Sequence, residues 1–203
     1  MSYLVFVRHG ESTYNAKGVW TGWDNPPLSE KGFEEARQAG QLLKDIKFDI
    51  AYTSDLLRAQ QTLDEIKKIL GIEIPTIISP EIKERNYGDY TDKNKWEVEK
   101  ELGEEEFKKL RRSFDYPVPN GESLKDVYNR TVPYFTREIL PKLKEGKNVL
   151  IVAHGNSLRA LTKYIENISD EGIENVEIPT GQVIVYQINP EGKVASKEIK
   201  TAN

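Results

Sequence analysis

Hydrophobic residues in this chain gather into short runs that stop abruptly at polar ones. Tyr3–Val7, Ile50–Tyr52 and Val149–Ala153 are apolar at successive positions, and a further apolar stretch covers Val183–Ile188. A strand with one wet face alternates, whereas a continuous run marks a strand covered on both faces, the habit of parallel sheets packed between helices. Between the runs the period lengthens. In LSEKGFEEARQAGQLLKDI, Phe33, Ala36, Gly40 and Leu43 recur at three- and four-residue spacing. Ser29 is placed to cap that helix, and Leu28 with Phe33 to clamp its entry. In SDLLRAQQTLDEIKKILG, Leu56, Ala59, Leu63, Ile66 and Leu70 form a second stripe, with Ser54 as the expected cap and Gly71 as the stop. Further helices are expected from Ser123 to Leu143, kinked near Pro133, and directly after His154.

Strands alternating with helices predict an α/β fold: a three-layer sandwich with a mainly parallel central sheet and helices on both faces. The last segment, QVIVYQINPEGKVASKEI, reads as a strand, a turn at Asn189–Gly192 and a returning strand, which gives the sheet an antiparallel edge strand. From about Asp89 to Gly121 the alternation fails. That stretch is densely charged and helical in propensity, and is read as a lid-like insertion over the sheet within one domain spanning 1–203.

Composition narrows the chemistry. With 203 residues, 37% of them hydrophobic, the chain can bury one substantial core. It has no cysteine, which excludes disulfides and thiolate metal ligands and is compatible with a reducing compartment. A net charge of -4 argues against a broad nucleic-acid or membrane surface, so an anionic ligand must be held by a local cluster of cations. No leader-like segment opens the sequence and no run approaches the roughly 20 apolar residues that span a bilayer. A soluble, cytoplasmic protein is expected.

The only two histidines, His9 and His154, each lie one or two residues beyond an apolar run, and each precedes a glycine. Ligands of open α/β sheets sit beyond the carboxyl ends of the strands, so two neighbouring parallel strands would bring both imidazoles to one site. The glycines would let backbone N–H groups approach an anion, and Gly10 is a candidate for a conformation other residues resist. A solvent-exposed turn accounts for one His-Gly pair but poorly for two. A metal site is a further alternative, opposed by the repulsion of Arg8 beside His9. An arginine-flanked histidine pair suits a phosphoryl group: one neutral imidazole attacks phosphorus while the other donates to the oxygens.

Several motifs occur in order over nearly the whole chain: RHGESTYN at 8–15, TGW at 21–23, TSDLLRAQQT at 53–62, ERNYG at 84–88, Arg111-Arg112, HGNSLRAL at 154–161 and IPTG at 178–181. With them the chain resembles the cofactor-dependent phosphoglycerate mutases of the histidine phosphatase superfamily. The RHG opening speaks only for the superfamily; TGW, Lys95, Arg111-Arg112 and HGNSLRAL speak for the mutase branch.

The resemblance implies interconversion of 3- and 2-phosphoglycerate in glycolysis and gluconeogenesis, with 2,3-bisphosphoglycerate as cofactor and no metal. The implied partner is a small phosphorylated substrate, with no nucleic acid or membrane, and a homo-oligomer or a monomer is left open. By the same resemblance His9 is the nucleophile that becomes phosphohistidine, and Arg8, Arg58 and Asn15 grip the transferring group, as planar guanidinium forks suit phosphate oxygens. His154 would stabilise the transition state, with Gly155 and Asn156 offering a backbone N–H and an amide. Glu84 would be the proton donor and acceptor. Lys95, Arg111 and Arg112 would hold the substrate's other anionic end, and Gly10, Glu11, Ser12, Thr13, Tyr14, Thr21, Gly22, Arg85, Asn86 and Tyr87 would complete the pocket. The insertion would exclude water, whose attack on phosphohistidine turns a mutase into a phosphatase.

Two alternatives stay open. A phosphatase, or a bisphosphoglycerate mutase or phosphatase acting on small phosphorylated metabolites, would use the same histidines and arginines. The sequence runs only a few residues beyond its last predicted strand, and its 112–122 connection is short beside longer family members. Both differences leave room for looser water exclusion. A non-catalytic phospholigand sensor is the more distant alternative, since it has no need of both histidines and Glu84 together.

Overall fold

Parity along the strands explains the layering. A computed structural model describes residues 1–201. In chain order its main elements are β1 (Ser2–Arg8), α1 (Thr13–Ala16), α2 (Glu30–Leu42), β2 (Ile50–Thr53), α3 (Leu57–Leu70), β3 (Thr76–Ile78), α4 (Lys95–Leu102), α5 (Glu104–Arg112), α6 (Leu124–Tyr134), α7 (Leu140–Lys144), β4 (Val149–Ala153), α8 (Gly155–Ile165), β5 (Val183–Ile188) and β6 (Val194–Lys200). Leu4 and Phe6 of β1 enter one apolar cluster, Val5 and Val7 another. The same division parts Ile151 from Leu150 and Val152 in β4, and Ile184 and Tyr186 from Val183 and Val185 in β5. Both faces of the sheet are therefore buried, which is why the runs show no alternation.

The strand order is β3-β2-β4-β1-β5-β6. β3, β2, β4 and β1 are mutually parallel, while β5 pairs antiparallel with both β1 and β6. The reversed strand is thus β5, one in from the edge, and the expected turn after Asn189 returns the chain as β6. At the far edge, β3 left no mark in the hydrophobic pattern. It is only three residues long, Thr-Ile-Ile, and exposed throughout, too short for its two isoleucines to stand out as a run.

Helices α2 and α3 cover the Val5/Val7 face, contributing Ala39, Leu43, Leu63 and Ile66 to that cluster. On the opposite face Tyr134, Leu143, Leu158 and Leu161 bring in α6, α7 and α8. Ser29 caps α2 by accepting the Gly32 N–H, and Gly71 ends α3 in the left-handed region at φ 63°. Two local expectations need correction. The N-cap of α3 is Leu56, because the Ser54 hydroxyl, although it accepts the Leu56 N–H, is drawn to within 2.7 Å of His154 Nε2. The third helix runs through Pro133 without ending, and its irregularity is a π-helical segment, Phe135–Ile139. There the Leu140 N–H reaches back to the Phe135 carbonyl, widening the turn just ahead of Pro141, which cannot donate to any carbonyl.

In the charged stretch, α4 and α5 meet at Gly103, whose φ of 81° suits glycine. Val98, Phe107, Leu110 and Val118 close a small core with Trp20 from the loop after α1. Among the described residues no helix is long and apolar enough to cross a membrane.

Phe6 is fully buried and meets Tyr186 edge-on at 5.4 Å between ring centroids. Phe6→Ala is expected to lower the stability to urea by about 3–5 kcal/mol, the cost of a large cavity in a sheet covered on both sides. A loss below about 1 kcal/mol in a denaturation curve would contradict that packing.

Candidate active site

Strand register carries the two histidines to one place. Arg8 lies opposite Ala153 in the parallel β1–β4 pair, and the His9 N–H donates to the Ala153 carbonyl at 2.9 Å. His9 and His154 are therefore the next residues on adjoining strands, both with the parity of the face that α2 and α3 cover. Their ring centroids are 5.0 Å apart and both side chains are buried.

His9 Nδ1 lies 2.7 Å from the Gly10 carbonyl. A carbonyl only accepts, so Nδ1 carries the proton and Nε2 the lone pair. Arg58 Nε donates towards that Nε2 at 3.4 Å. Burial, then the charges of Arg58 and Arg8, hold the His9 pKa well below 6.5 and keep the ring neutral. Gly10 is not in the left-handed region, contrary to expectation. Its necessity is steric: a Cβ would lie 2.1 Å from the Gly32 carbonyl oxygen at the start of α2. Nor does its N–H face the site, since it donates to Thr62 Oγ1.

His154 is the N-cap of α8, and its Nδ1 is buried without a hydrogen-bond partner. Its pKa too falls well below 6.5, through burial and then Arg58, His9 and Arg8. Arg58 leaves the first turn of α3 nearly fully buried, with Nη1 donating to the Asp24 carbonyl and Nη2 to that of Gly22. Burial lowers its pKa to about 10, which leaves it charged at neutral pH. Asp55, three residues before Arg58, pairs with Lys83 at 3.1 Å. Arg8 donates from Nη1 to the Ile178 carbonyl, and its Nε is buried without a partner. Asn15, Thr21 and Gly22 join these groups along the same cleft wall.

Glu84 follows a short 3-10 turn, Pro80–Ile82, and is 6% exposed. Its Oε1 accepts from the Arg85 N–H at 2.7 Å, the Asn156 N–H at 3.2 Å and Asn156 Nδ2 at 3.0 Å. Its carbonyl accepts from Trp23 Nε1 and Arg130 Nη2. The donors of Asn156 are thus committed to Glu84, and to the Tyr87 hydroxyl at 2.8 Å, rather than to an anion beside His154. At the other end of the cleft stand Arg111, Arg112 and Gly155, while Lys95 and Tyr87 line both ends. Burial, then Arg8 and Arg111, push the Lys95 pKa down to about 8. Arg112 is paired with Glu177 at 3.0 Å.

Other residues named from the sequence lie behind the cleft wall. Glu11 is turned towards α2, accepting from Ser29 Oγ and pairing with Lys31. Ser12 caps α1 and is bonded to Asn15, so of the α1 segment Asn15 reaches the cleft whereas Thr13 and Tyr14 do not line it. Arg85 is buried, its guanidinium 4.8 Å from the Tyr87 ring and donating to the Leu110 carbonyl, and Asn86 braces Gly88 and Glu122. Conversely Trp20, Arg159, Glu177 and Ile178 line the cleft unannounced. Arg159 lay within the motif HGNSLRAL and Ile178 opened IPTG; Trp20 and Glu177 carried no local signal.

The two neutral imidazoles couple folding to pH. Unfolded, each titrates near 6.5, but the native rings resist protonation, so below that value the unfolded state binds more protons. Stability is expected to fall as pH drops through about 6.5, by up to about 1.4 kcal/mol per pH unit for each ring. Proton NMR should show both rings still neutral at about pH 6, and native titration of either at or above its ordinary value would contradict the buried, arginine-flanked geometry.

The model of the histidine phosphatase superfamily, branch 1, matches residues 4–199. The chain is 49% identical over 197 residues to the 2,3-bisphosphoglycerate-dependent phosphoglycerate mutase of Bradyrhizobium diazoefficiens, covering 96% of this chain and 95% of that one. It is likewise 49% identical over 199 residues, 97% of each chain, to the protein of the same name from Chelativorans. Among solved structures it is similar to the alpha-ribazole phosphatase of Shigella flexneri, with a TM-score of 0.80 and 26% identity over 95% of this chain and 93% of that one. A superfamily match across almost the whole chain, with both histidines at adjoining strand ends, is decisive: the chain belongs to the histidine phosphatase superfamily.

Proposed function

We propose that this chain is a 2,3-bisphosphoglycerate-dependent phosphoglycerate mutase, interconverting 3- and 2-phosphoglycerate through phosphohistidine at His9. The observation that supports it most is the division of one cleft into two cationic ends. Arg58 and the neutral His9 stand at one end, Arg111 and Arg112 at the other, and Arg8, Lys95 and Glu84 line both. A three-carbon acid with an anionic group at each end fits that spacing of charge, and relatives named as mutases share about half of the sequence.

His9 Nε2 attacks phosphorus while the Nδ1 proton, held by the Gly10 carbonyl, stabilises the cationic ring that forms. Arg8, Arg58 and Asn15 take up charge on the equatorial oxygens. His154 acts with them when the Ser54 hydroxyl donates to Nε2, which leaves the proton on the otherwise unpartnered Nδ1. Glu84 takes the proton of the attacking substrate hydroxyl and returns one to the leaving oxygen. Lys95, Arg111 and Arg112 hold the substrate's other end, and α4 and α5 shield the cleft from water. The same donor set fits 2,3-bisphosphoglycerate, with buried Arg8 Nε and His154 Nδ1 left for its oxygens; when bound, it supplies the phosphoryl group that charges His9. These assignments place the chain in glycolysis and gluconeogenesis.

The similar alpha-ribazole phosphatase makes hydrolysis the competing reading. Purified protein given 3-phosphoglycerate and trace 2,3-bisphosphoglycerate is expected to form 2-phosphoglycerate much faster than free phosphate, with or without a chelator. Phosphate release without isomerisation would sink the mutase reading. His9→Ala should abolish both the acid-labile phosphoenzyme and turnover. Arg112→Ala should raise KM about tenfold or more with a smaller change in kcat, as expected for one lost charge-assisted contact of roughly 1.5–3 kcal/mol.

A further inference from the structure

Arg159 is the cation of the cleft with no donor left for a ligand. It is 4% exposed, and its guanidinium makes five hydrogen bonds to protein. Nε donates to the Val176 carbonyl at 2.9 Å, and Nη2 to those of Arg112 and Ile173, both at 2.9 Å. Nη1 donates to the Arg111 carbonyl at 3.4 Å and to Asn156 Oδ1 at 3.0 Å. A guanidinium has five N–H donors, and all five are engaged.

The bond to Asn156 has a consequence for Glu84. With Oδ1 facing a fixed cation, the amide must present Nδ2 to Glu84 Oε1 and to the Tyr87 hydroxyl. Flipped, it would set its oxygen against the carboxylate and its NH2 against the guanidinium. Asn156 holds Glu84 Oε1 with two donors, and Oε2 has no donor among the described residues.

We propose that Arg159 is a positioning residue for proton transfer: it locks the Asn156 amide so that Glu84 is anchored through Oε1 and keeps Oε2 for the substrate oxygen. This rests on Glu84 being the proton carrier. When 2,3-bisphosphoglycerate phosphorylates His9, the Nε2–P bond forms and the P–O bond breaks, and the leaving oxygen keeps the electron pair and takes the proton from Glu84. Acetyl phosphate makes the same Nε2–P bond but releases acetate, which needs no proton.

The test is the rate of labelled phosphohistidine formation from each donor. Arg159→Met should slow phosphorylation by 2,3-bisphosphoglycerate about tenfold or more, while the rate from acetyl phosphate stays within about threefold. Adding Arg159→Met to Asn156→Ala should cost less than about twofold further, because the two act in series. Arg159→Lys, which keeps a buried positive charge, should show the same donor-selective loss, so misfolding of the methionine variant does not remove the test. Equal losses from both donors, or none, would overturn the relay. If Glu84→Gln discriminates between donors and the Arg159 variants do not, only the relay fails; if Glu84→Gln is itself indifferent, the assignment of Glu84 fails and the relay with it.

Discussion

The hydrogen bond from the His9 N–H to the Ala153 carbonyl is the last rung of the parallel ladder between β1 and β4, and the site is built outward from it. Because the pairing is in register to its end, the residue after Arg8 and the residue after Ala153 leave the sheet side by side on the same face. Strand parity then separates neighbours. Arg8 shares the parity of Leu4 and Phe6 and reaches the Ile178 carbonyl, while His9 shares that of Val5 and Val7 and meets Arg58 from α3. A slip of one residue would exchange the faces and part the imidazoles.

Charge in the cleft is arranged so that it remains available. Arg58 and Arg8 are aimed mainly by backbone carbonyls, those of Asp24, Gly22 and Ile178, which accept hydrogen bonds without neutralising the cation. Burial, and after it this field, acts on the neighbours: both histidines resist protonation, and Lys95 is pushed down to about 8. A chain of net charge -4 thus keeps a local positive site. Such preorganised charge, in a place where few waters can relax around it, is the condition for stabilising a transferring phosphoryl group. Glu84 is the counterpart, held at its carbonyl by Trp23 and Arg130 and at one carboxylate oxygen by three N–H groups.

Much of the cleft was legible because its residues sit at ends of elements that announce themselves. His9, His154 and Arg58 follow apolar runs or open a helix, and chemistry at a strand end is visible as an interruption of hydrophobicity. Other positions of the same motifs are engaged differently. Gly10, Glu11, Ser12, Arg85 and Asn86 stand inside motifs beside cleft residues, yet the structure spends them on packing and bracing. Gly10 makes room for Gly32, Ser12 caps α1, and Asn86 supports the loop to Glu122. A motif preserves what the site needs, and it does not separate a contacting group from the one holding it.

The sequence by itself determined the layered α/β fold, the position of both histidines beyond buried strands and the supply of local cations, since these follow from hydrophobic period and residue type. Tertiary structure alone decided which atoms meet. That Ser54 turns to His154 rather than serving α3 as its cap, that Asn156 serves Glu84, and that Arg159 ties Asn156 to the carbonyls ending α5 depend on contacts between segments far apart in the chain. The physical reason is range. Burial period is a property of one segment and can be read along it, whereas a hydrogen bond needs two groups within about 3 Å in the right orientation, a condition set only when the sheet, α3, α5 and α8 have packed.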